Sequence, residues 1–277
     1  MESASPRRVE VIAHRGSSDE VPEHTLAAFR QAIEEGADTL ECDVRLTADG
    51  HLVCVHDRRV DRTSDGQGIV STLELAELEE LDFAAWREGS PWQPGGDHEE
   101  PLQIDPERRG VLTLHRLLAL VADSERPVRV AIETKHPTRY AGLVERRLVE
   151  TLDAYGWAHP RLGTRAPVRV MSFSWLSLRR MRALAPSLER VFLMERIPVR
   201  FRDGSLPEGA RVAGPSIELI RQHPRYVDKA QRRGHPVHVW TVDDAEDVAL
   251  CLDLGVEGII TNRPAAVREQ VAAQLGT

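Results

Sequence analysis

Cysteine is scarce in this 277-residue chain: Cys42, Cys54 and Cys251 are the only three, and no two stand in a Cys-x-x-Cys spacing. That excludes a disulfide-stapled secreted scaffold and a sulfur-ligated zinc or redox motif. No run approaches the ~18 apolar residues that a membrane-spanning helix needs. The first eight residues, Met1 to Arg8, lack the apolar core of a signal peptide, so the expected address is the cytoplasm, with no stable membrane insertion. Positive charge is in deficit too, with 36 Lys and Arg against 44 Asp and Glu and a net charge of −8. A general nucleic-acid binder, which replaces phosphate counterions with basic side chains, is disfavoured. A small phosphate-bearing substrate is not, because a local pocket can be positive or hold a cation whatever the overall sign. The glycine fingerprints of phosphate loops and dinucleotide folds are also missing.

What is present is an ordinary globular composition, 41% apolar and 29% charged, in a chain long enough for one large domain or two small ones. Short apolar runs alternate with stretches of helical periodicity. Strands are expected at Val9–Ala13, Asp38–Leu46, Val128–Glu133, Val168–Phe173, Arg190–Met194, Val212–Ser216, Val237–Val242 and Glu257–Thr261. Helices are expected at His24–Glu35, Thr113–Asp123, Tyr140–Tyr155, Trp175–Ala185, Pro224–Gly234, Ala245–Leu254 and Ala265–Ala273. Eight buried strands alternating with helices point to a (β/α)8 TIM barrel rather than an open doubly wound sheet. Residues 1–277 then form a single barrel domain, with a small insertion at about 47–110, between the second strand and the second helix. Its Leu73, Leu75, Leu78, Leu81, Phe83 and Trp86 are expected to build a small helical cap, and Ser90 to Arg109 a flexible, solvated loop.

Thr47-Ala48-Asp49-Gly50 reads as a turn between Asp43–Leu46 and His51–His56. Pairing Leu46 with His51 sets Asp43 opposite Cys54 and Glu41 opposite His56. Glu41, Asp43 and His56 then share a face, with Cys54 beside Asp43 as packing. Four clusters fall at predicted strand ends, where a barrel places its active site: His14-Arg15-Gly16, Glu41-Cys42-Asp43, His56-Asp57 and Glu133-Thr134-Lys135. Three carboxylates without thiolates favour a hard cation, Mg²⁺ or Ca²⁺, over zinc. Arg15 and Lys135 suit a phosphate, and two histidines can divide proton transfers. Singly, each cluster is as readily a solvated strand face, a hydrogen-bonded structural histidine or a turn. Together they match what a metal-assisted phosphodiesterase requires.

Those segments, in order, resemble the glycerophosphodiester phosphodiesterase family, within the phospholipase-C-like phosphodiesterase superfamily. The resemblance runs from about residue 9 to 268 and is carried by Ile12-Ala13-His14-Arg15-Gly16, Val21-Pro22-Glu23-His24-Thr25, Leu40-Glu41-Cys42-Asp43-Val44 and Val55-His56-Asp57. Asp61-Arg62-Thr63-Ser64, Ile132-Glu133-Thr134-Lys135, Ser172-Phe173, Val239-Trp240-Thr241-Val242 and Thr261-Asn262-Arg263-Pro264 continue it. It implies a single divalent cation (Mg²⁺ or Ca²⁺, with Mn²⁺ possible) on Glu41, Asp43 and Glu133, with Glu23 supporting the site or lying close to the ion. It implies His14 and His56 as the acid/base pair, Arg15 and Lys135 as phosphate ligands, and Trp240 and Phe173 lining the substrate pocket. Core packing is the competing reading of both aromatics. The implied reaction converts a small glycerophosphodiester to sn-glycerol 3-phosphate and an alcohol, through water or through a neighbouring substrate hydroxyl.

Three positions depart from the usual pattern. His24 and Asp243 stand where asparagine is common, and Asn262 stands where aspartate is common. His24 is expected to be a helix-start or supporting residue, and Asp243 to add negative charge at the pocket rim. The rival readings are a lysophospholipase D-like or phosphoinositide-type phosphodiesterase on the same barrel, and a non-catalytic barrel that binds phosphoesters. The arginine pairs at 58–59, 146–147, 179–180 and 232–233 are expected to be solvated faces, since membrane docking would require exposed apolar residues beside them.

Overall fold

The computed structural model describes residues 8–86, 105–136, 142–161, 163–164 and 166–276. Eight parallel strands alternate with helices: β1 Glu10–His14, α1 Leu26–Glu34, β2 Thr39–Leu46, α3 Leu114–Ala122, β4 Arg129–Thr134, α4 Leu143–Asp153, β5 Val168–Ser172 and α5 Trp175–Leu184. They continue through β6 Glu189–Met194, β7 Val212–Pro215, α6 Ile217–Gln222, α7 Arg225–Arg232, β8 His238–Val239, α8 Ala245–Leu254, β9 Gly258–Thr261 and α9 Pro264–Leu275. The ladder runs β7-β6-β5-β4-β2-β1-β9-β8, and the parallel bridges Ala213–Val237 and Ser216–Trp240 join its two ends. The result is a (β/α)8 barrel. The strand expected over Val237–Val242 is regular only at His238–Val239; beyond it, Val242 N donates to Ile260 O at 2.9 Å.

Each strand buries both faces, so most read as continuous apolar runs. Leu40, Cys42 and Val44 of β2 face a core shared with Leu117, Leu118, Leu148 and Leu152 of the helices. Ile12, Ala131, Met171, Val191, Leu193, Val212 and Ile260 fill the barrel interior. Glu10, Arg169 and His238 form a charged layer at the opposite end of the strands from the site. Arg169 Nη2 donates to both Glu10 oxygens at 3.0 and 2.9 Å, and its Nη1 lies 3.0 Å from His238 Nδ1. Burial pushes the Glu10 carboxyl up, but Arg169, His238 and Arg129 together hold it down at about 2.

The segment after β2 holds β3 Leu52–Cys54, a 3₁₀ turn at Val70–Thr72 and the short α2 Leu75–Glu79. Val53, Val55, Val60, Val70, Leu78, Phe83 and Val111 pack into their own small core, with Leu73, Leu75 and Leu81 partly buried against it. Trp86 is exposed. Most of the solvated loop expected at Ser90 to Arg109 lies outside the described residues; Asp105 to Arg109, its described end, form a turn. Among the described residues, no helix is long and apolar enough to cross a membrane.

Candidate active site

Parallel register carries the carboxylates to the carboxyl end of the barrel. Glu41 lies level with His14 on β1, and Asp43 level with Glu133 on β4. Glu41, Asp43 and Glu133 are all buried, and each offers a ligand oxygen within 4.8 Å of the others'. Lys135 Nζ bridges Asp43 Oδ1 and Glu133 Oε1 at 2.9 Å each. Arg15 Nε stands 3.0 Å from Asp43 Oδ2, yet neither atom makes a directed hydrogen bond. Burial and the Asp43 charge push Glu133 up to about 8, and burial with Asp43 also raises Glu41 well above the usual carboxylate range. Burial opposes ionisation of Asp43 as well, but Lys135 and Arg15 hold it well below that range. A buried oxygen without a hydrogen bond, beside two carboxylates that resist ionising together, fits a hard divalent cation.

Among the described residues, Arg15 and His24 are the two non-glycine residues with positive φ, +59° and +60°, and His24 N donates to Arg15 O at 3.0 Å. Asn and His enter this region more readily than most residues, which accounts for either at position 24. His24 Nε2 accepts from Asp43 N at 3.1 Å, and burial pushes the ring down to about 4. Next to Arg15, Gly16 has φ +89°, and a Cβ there would lie 2.6 Å from the Ala28 carbonyl carbon. Thr25 then caps α1, its side chain accepting from Ala28 N at 3.2 Å. Strain at such positions persists only where neighbours over-determine it, as Glu41 does here by accepting from Arg15 N through both its backbone and side chain.

The hairpin register differs from the expected one. Thr47, not Leu46, pairs with His51: Thr47 N donates to His51 O at 2.9 Å, Thr47 Oγ1 accepts from His51 N at 2.9 Å, and Leu46 lies opposite Leu52. The loop is Ala48-Asp49-Gly50, with Gly50 at φ +90° closing it. Cys54 therefore opposes Val44 and packs near Cys42 on the helix-facing side, not beside Asp43. Continued strictly, this register would turn His56 away from the carboxylates. The chain instead leaves the ladder after Val55, whose N donates to Asp43 O at 3.1 Å, and Arg45 Nε and Nη2 grip the His56 carbonyl at 3.0 and 2.7 Å.

The two histidines are held by different groups. His14 Nδ1 lies 2.7 Å from Asn262 Oδ1, with its Nε2 4.0 Å from Glu41 Oε2. Burial and Arg15 push it down to about 3. His56 Nδ1 lies 2.6 Å from the Asp57 carboxylate; burial lowers it while Asp43 works in the other direction. Arg62, whose role the sequence did not reveal, extends from Asp57 Oδ2 (2.6 Å) to both Glu23 oxygens, and Glu23 in turn accepts from Arg15 Nη1 at 3.1 Å. Glu23 is thus clamped by two guanidiniums and stands outside the three-carboxylate cluster. Its carboxyl is held at about 2 against the effect of burial. Asp243 is turned onto Thr261 and Asn262 rather than left as free charge on the rim.

His56, Glu133, Lys135, Ser172 and Phe173 line a cavity of 470 Å³ that also reaches Arg45 and Glu195. Phe173 is 40% exposed, so it is not core; its ring meets Trp240 edge-on at 5.4 Å, with Lys135 Nζ 6.0 Å from its centre. Trp240 is partly buried and donates through Nε1 to Gly214 O at 2.7 Å. Two partly buried bases, three carboxylates and two cations at one barrel mouth can together bind a phosphodiester and move protons at both of its ester oxygens.

The sequence profile of the Glycerophosphoryl diester phosphodiesterase family matches residues 14–266. The chain belongs to this family. It is 45% identical over 254 residues to a Mycobacterium tuberculosis protein named "Probable glycerophosphodiester phosphodiesterase 1", covering 92% of this chain and 89% of that one. To the glycerophosphodiester phosphodiesterase of Caldanaerobacter subterraneus it is 34% identical over 261 residues, covering 92% and 94%. Among solved structures, an Oleispira antarctica phosphodiesterase in complex with its product sn-glycerol-3-phosphate superposes with a TM-score of 0.78 at 23% identity, covering 95% of this chain and 96% of that one. The glycerophosphodiester phosphodiesterase of Agrobacterium tumefaciens superposes with a TM-score of 0.71 at 22% identity, covering 94% and 99%. These structures share the family's barrel, and fold and family together support phosphodiester hydrolysis.

Proposed function

We propose that this chain is a metal-dependent glycerophosphodiester phosphodiesterase that releases sn-glycerol 3-phosphate and an alcohol. The carrying observation is the buried Glu41, Asp43 and Glu133 cluster at the mouth, between His14 and His56. Those three residues would hold one divalent cation, Mg²⁺ or Ca²⁺ with Mn²⁺ as an alternative. When bound, it supplies charge neutralisation at the phosphodiester oxygens. Arg15 and Lys135 bind the remaining phosphate charge, and Glu23, with Arg62 behind it, orients Arg15. His14, partly buried and held by a neutral amide, accepts the proton of the attacking oxygen. His56, with a carboxylate on Nδ1, donates to the departing alcohol as its P–O bond breaks. Phe173 and Trp240 flank the bound glycerol or alcohol group. Attack by water gives the phosphomonoester directly; attack by the neighbouring substrate hydroxyl gives a cyclic phosphate first, and the early products distinguish the two. Residues 1–277 act in this reading as one barrel domain, with the 47–110 segment as an insertion that presents His56. The working compartment is the cytoplasm.

Incubation with glycerophosphocholine and glycerophosphoethanolamine, with and without chelator, tests the assignment. Turnover untouched by chelation or by Glu41→Ala would remove the metal from it, and a His14 or His56 substitution with near-normal rates would remove that histidine.

A second reading, action on lysophospholipids, is favoured by one feature. Phe173, Trp175, Leu176 and Val199 are all exposed, and Arg179 and Arg200 lie over the Trp175 ring at 5.3 and 5.8 Å. Phe173, the start of α5 and Val199 thus offer an apolar lip, and Arg179 is not simply a solvated face. Rates that rise with acyl chain length, and lose that rise in Trp175→Ala, would favour this substrate.

A further inference from the structure

Asp243 has no part in the reaction above, yet it stands at the root of a hydrogen-bond chain that ends on His14. Its Oδ1 accepts from Asn262 N at 2.7 Å and Thr261 Oγ1 at 2.9 Å, and its Oδ2 accepts from Asn262 Nδ2 at 2.6 Å. A carboxylate only accepts, so the amide nitrogen of Asn262 must face Asp243 and its Oδ1 must face the other way. That oxygen meets His14 Nδ1 at 2.7 Å and also accepts from Ser18 Oγ at 2.8 Å, whose hydroxyl is within 2.7 Å of the His14 carbonyl as well. An amide oxygen cannot donate, so the proton between it and the ring belongs to Nδ1. Nε2 of the neutral imidazole is left as a bare acceptor on the side of Glu41.

We propose that Asp243 is a positioning residue for His14: by fixing which way the Asn262 amide points, it holds the imidazole in the Nδ1–H tautomer with the Nε2 lone pair toward the carboxylate cluster. The two positions also depart together from the residues expected in this family. One carboxylate and one amide are kept, with their places exchanged, and the two side chains are hydrogen-bonded to each other. With asparagine at both positions, nothing would prevent the Asn262 amide from flipping, and its nitrogen would then require a lone pair on Nδ1. The tautomer itself does not depend on the proposed function; only the kinetic consequence rests on that reading, in which His14 is the proton acceptor.

The test uses the full chain labelled with ¹⁵N-histidine, with the His14 signals assigned by their loss in His14→Gln. Long-range proton–nitrogen correlations of the wild type should show a protonated Nδ1 and an unprotonated Nε2 at His14. Asp243→Asn should mix the two tautomers and lower kcat on glycerophosphocholine by about tenfold or more with KM nearly unchanged, as loss of a correctly oriented base does. The double exchange Asp243→Asn with Asn262→Asp places a carboxylate on Nδ1, and should restore both the tautomer and most of kcat. A wild-type His14 protonated on Nε2 overturns the proposal even if no variant folds. So does Asp243→Asn with wild-type kcat and tautomer, or a folded double exchange no better than Asp243→Asn alone. A wild type with the expected tautomer but no turnover of any phosphodiester would instead sink the functional reading and leave this one standing.

Discussion

The ammonium of Lys135 lies 2.9 Å from Asp43 Oδ1, in the midst of three carboxylates that cannot all ionise cheaply without positive charge. That pairing keeps Asp43 charged, but burial and Asp43 itself still drive Glu133 up to about 8. Even with the Arg15 guanidinium 3.0 Å from Asp43 Oδ2, the cluster is left short of cationic charge.

A divalent cation that binds only the folded chain should raise its melting temperature, by the equivalent of about 2.7 kcal/mol at a concentration a hundredfold above Kd. Glu41→Gln or Glu133→Gln should abolish the rise. Because a cation must displace the protons that burial and Asp43 favour on Glu133 and Glu41, its affinity should increase as pH rises through about 8. Calorimetric titration at several pH values checks both, and a pH-independent affinity would refute the argument.

The charged layer at the other end of the strands should make the fold acid-sensitive. The Glu10 carboxyl is depressed from 4.5 to about 2, so its contribution is present above the unfolded value and is lost as pH falls through about 2. Buried His238, pushed down to about 3 by burial and Arg169, adds to the loss once pH drops below its unfolded value of 6.5. Glu10→Gln should remove the Glu10 share, on the order of 3 kcal/mol. Urea denaturation at stepped pH measures it; an unchanged pH slope in the variant would show that Glu10 carries none.

Gly16→Ala should cost about 2 kcal/mol or more, since both the positive φ and the contact with the Ala28 backbone oppose a side chain. Activity should fall further than stability, because the flanking His14 and Arg15 would move with the turn. Denaturant midpoints alongside kcat separate the two effects.

His24→Asn should stay folded, since asparagine tolerates the backbone conformation, at a cost of about 1–3 kcal/mol because its shorter side chain ends near the place of the imidazole Nδ1, short of the Asp43 N–H. His24→Ala should cost about 1–3 kcal/mol by leaving that buried donor unpaired. A hundredfold loss of turnover in a stable His24→Asn would make His24 part of the chemistry rather than its support.

Most of the barrel was legible because strands buried on both faces leave uninterrupted apolar runs, such as Val128 to Ile132, and strand ends could be read from the charged residues that follow them. The short α6 was not foreseen, since a helix of six residues carries too few turns for a periodic signal. The hairpin was legible as a hairpin but not in register: the turn sequence permits three- or four-residue loops, and the choice rests on the Thr47 side chain bonding His51. His56 reaches the site by leaving the strand under the grip of Arg45, a contact that no periodicity encodes.

By itself, the sequence determined which chemistry was available: carboxylates, histidines and cations at the carboxyl ends of parallel strands, in a chain without the cysteines or glycine loops of other site types. Only the tertiary structure decided what each group faces. Glu23 belongs to Arg15 and Arg62, His56 to Asp57, and His14 to an amide oriented by Asp243. These assignments depend on hydrogen-bond direction and burial among residues up to 248 positions apart, where sequence spacing imposes no geometry.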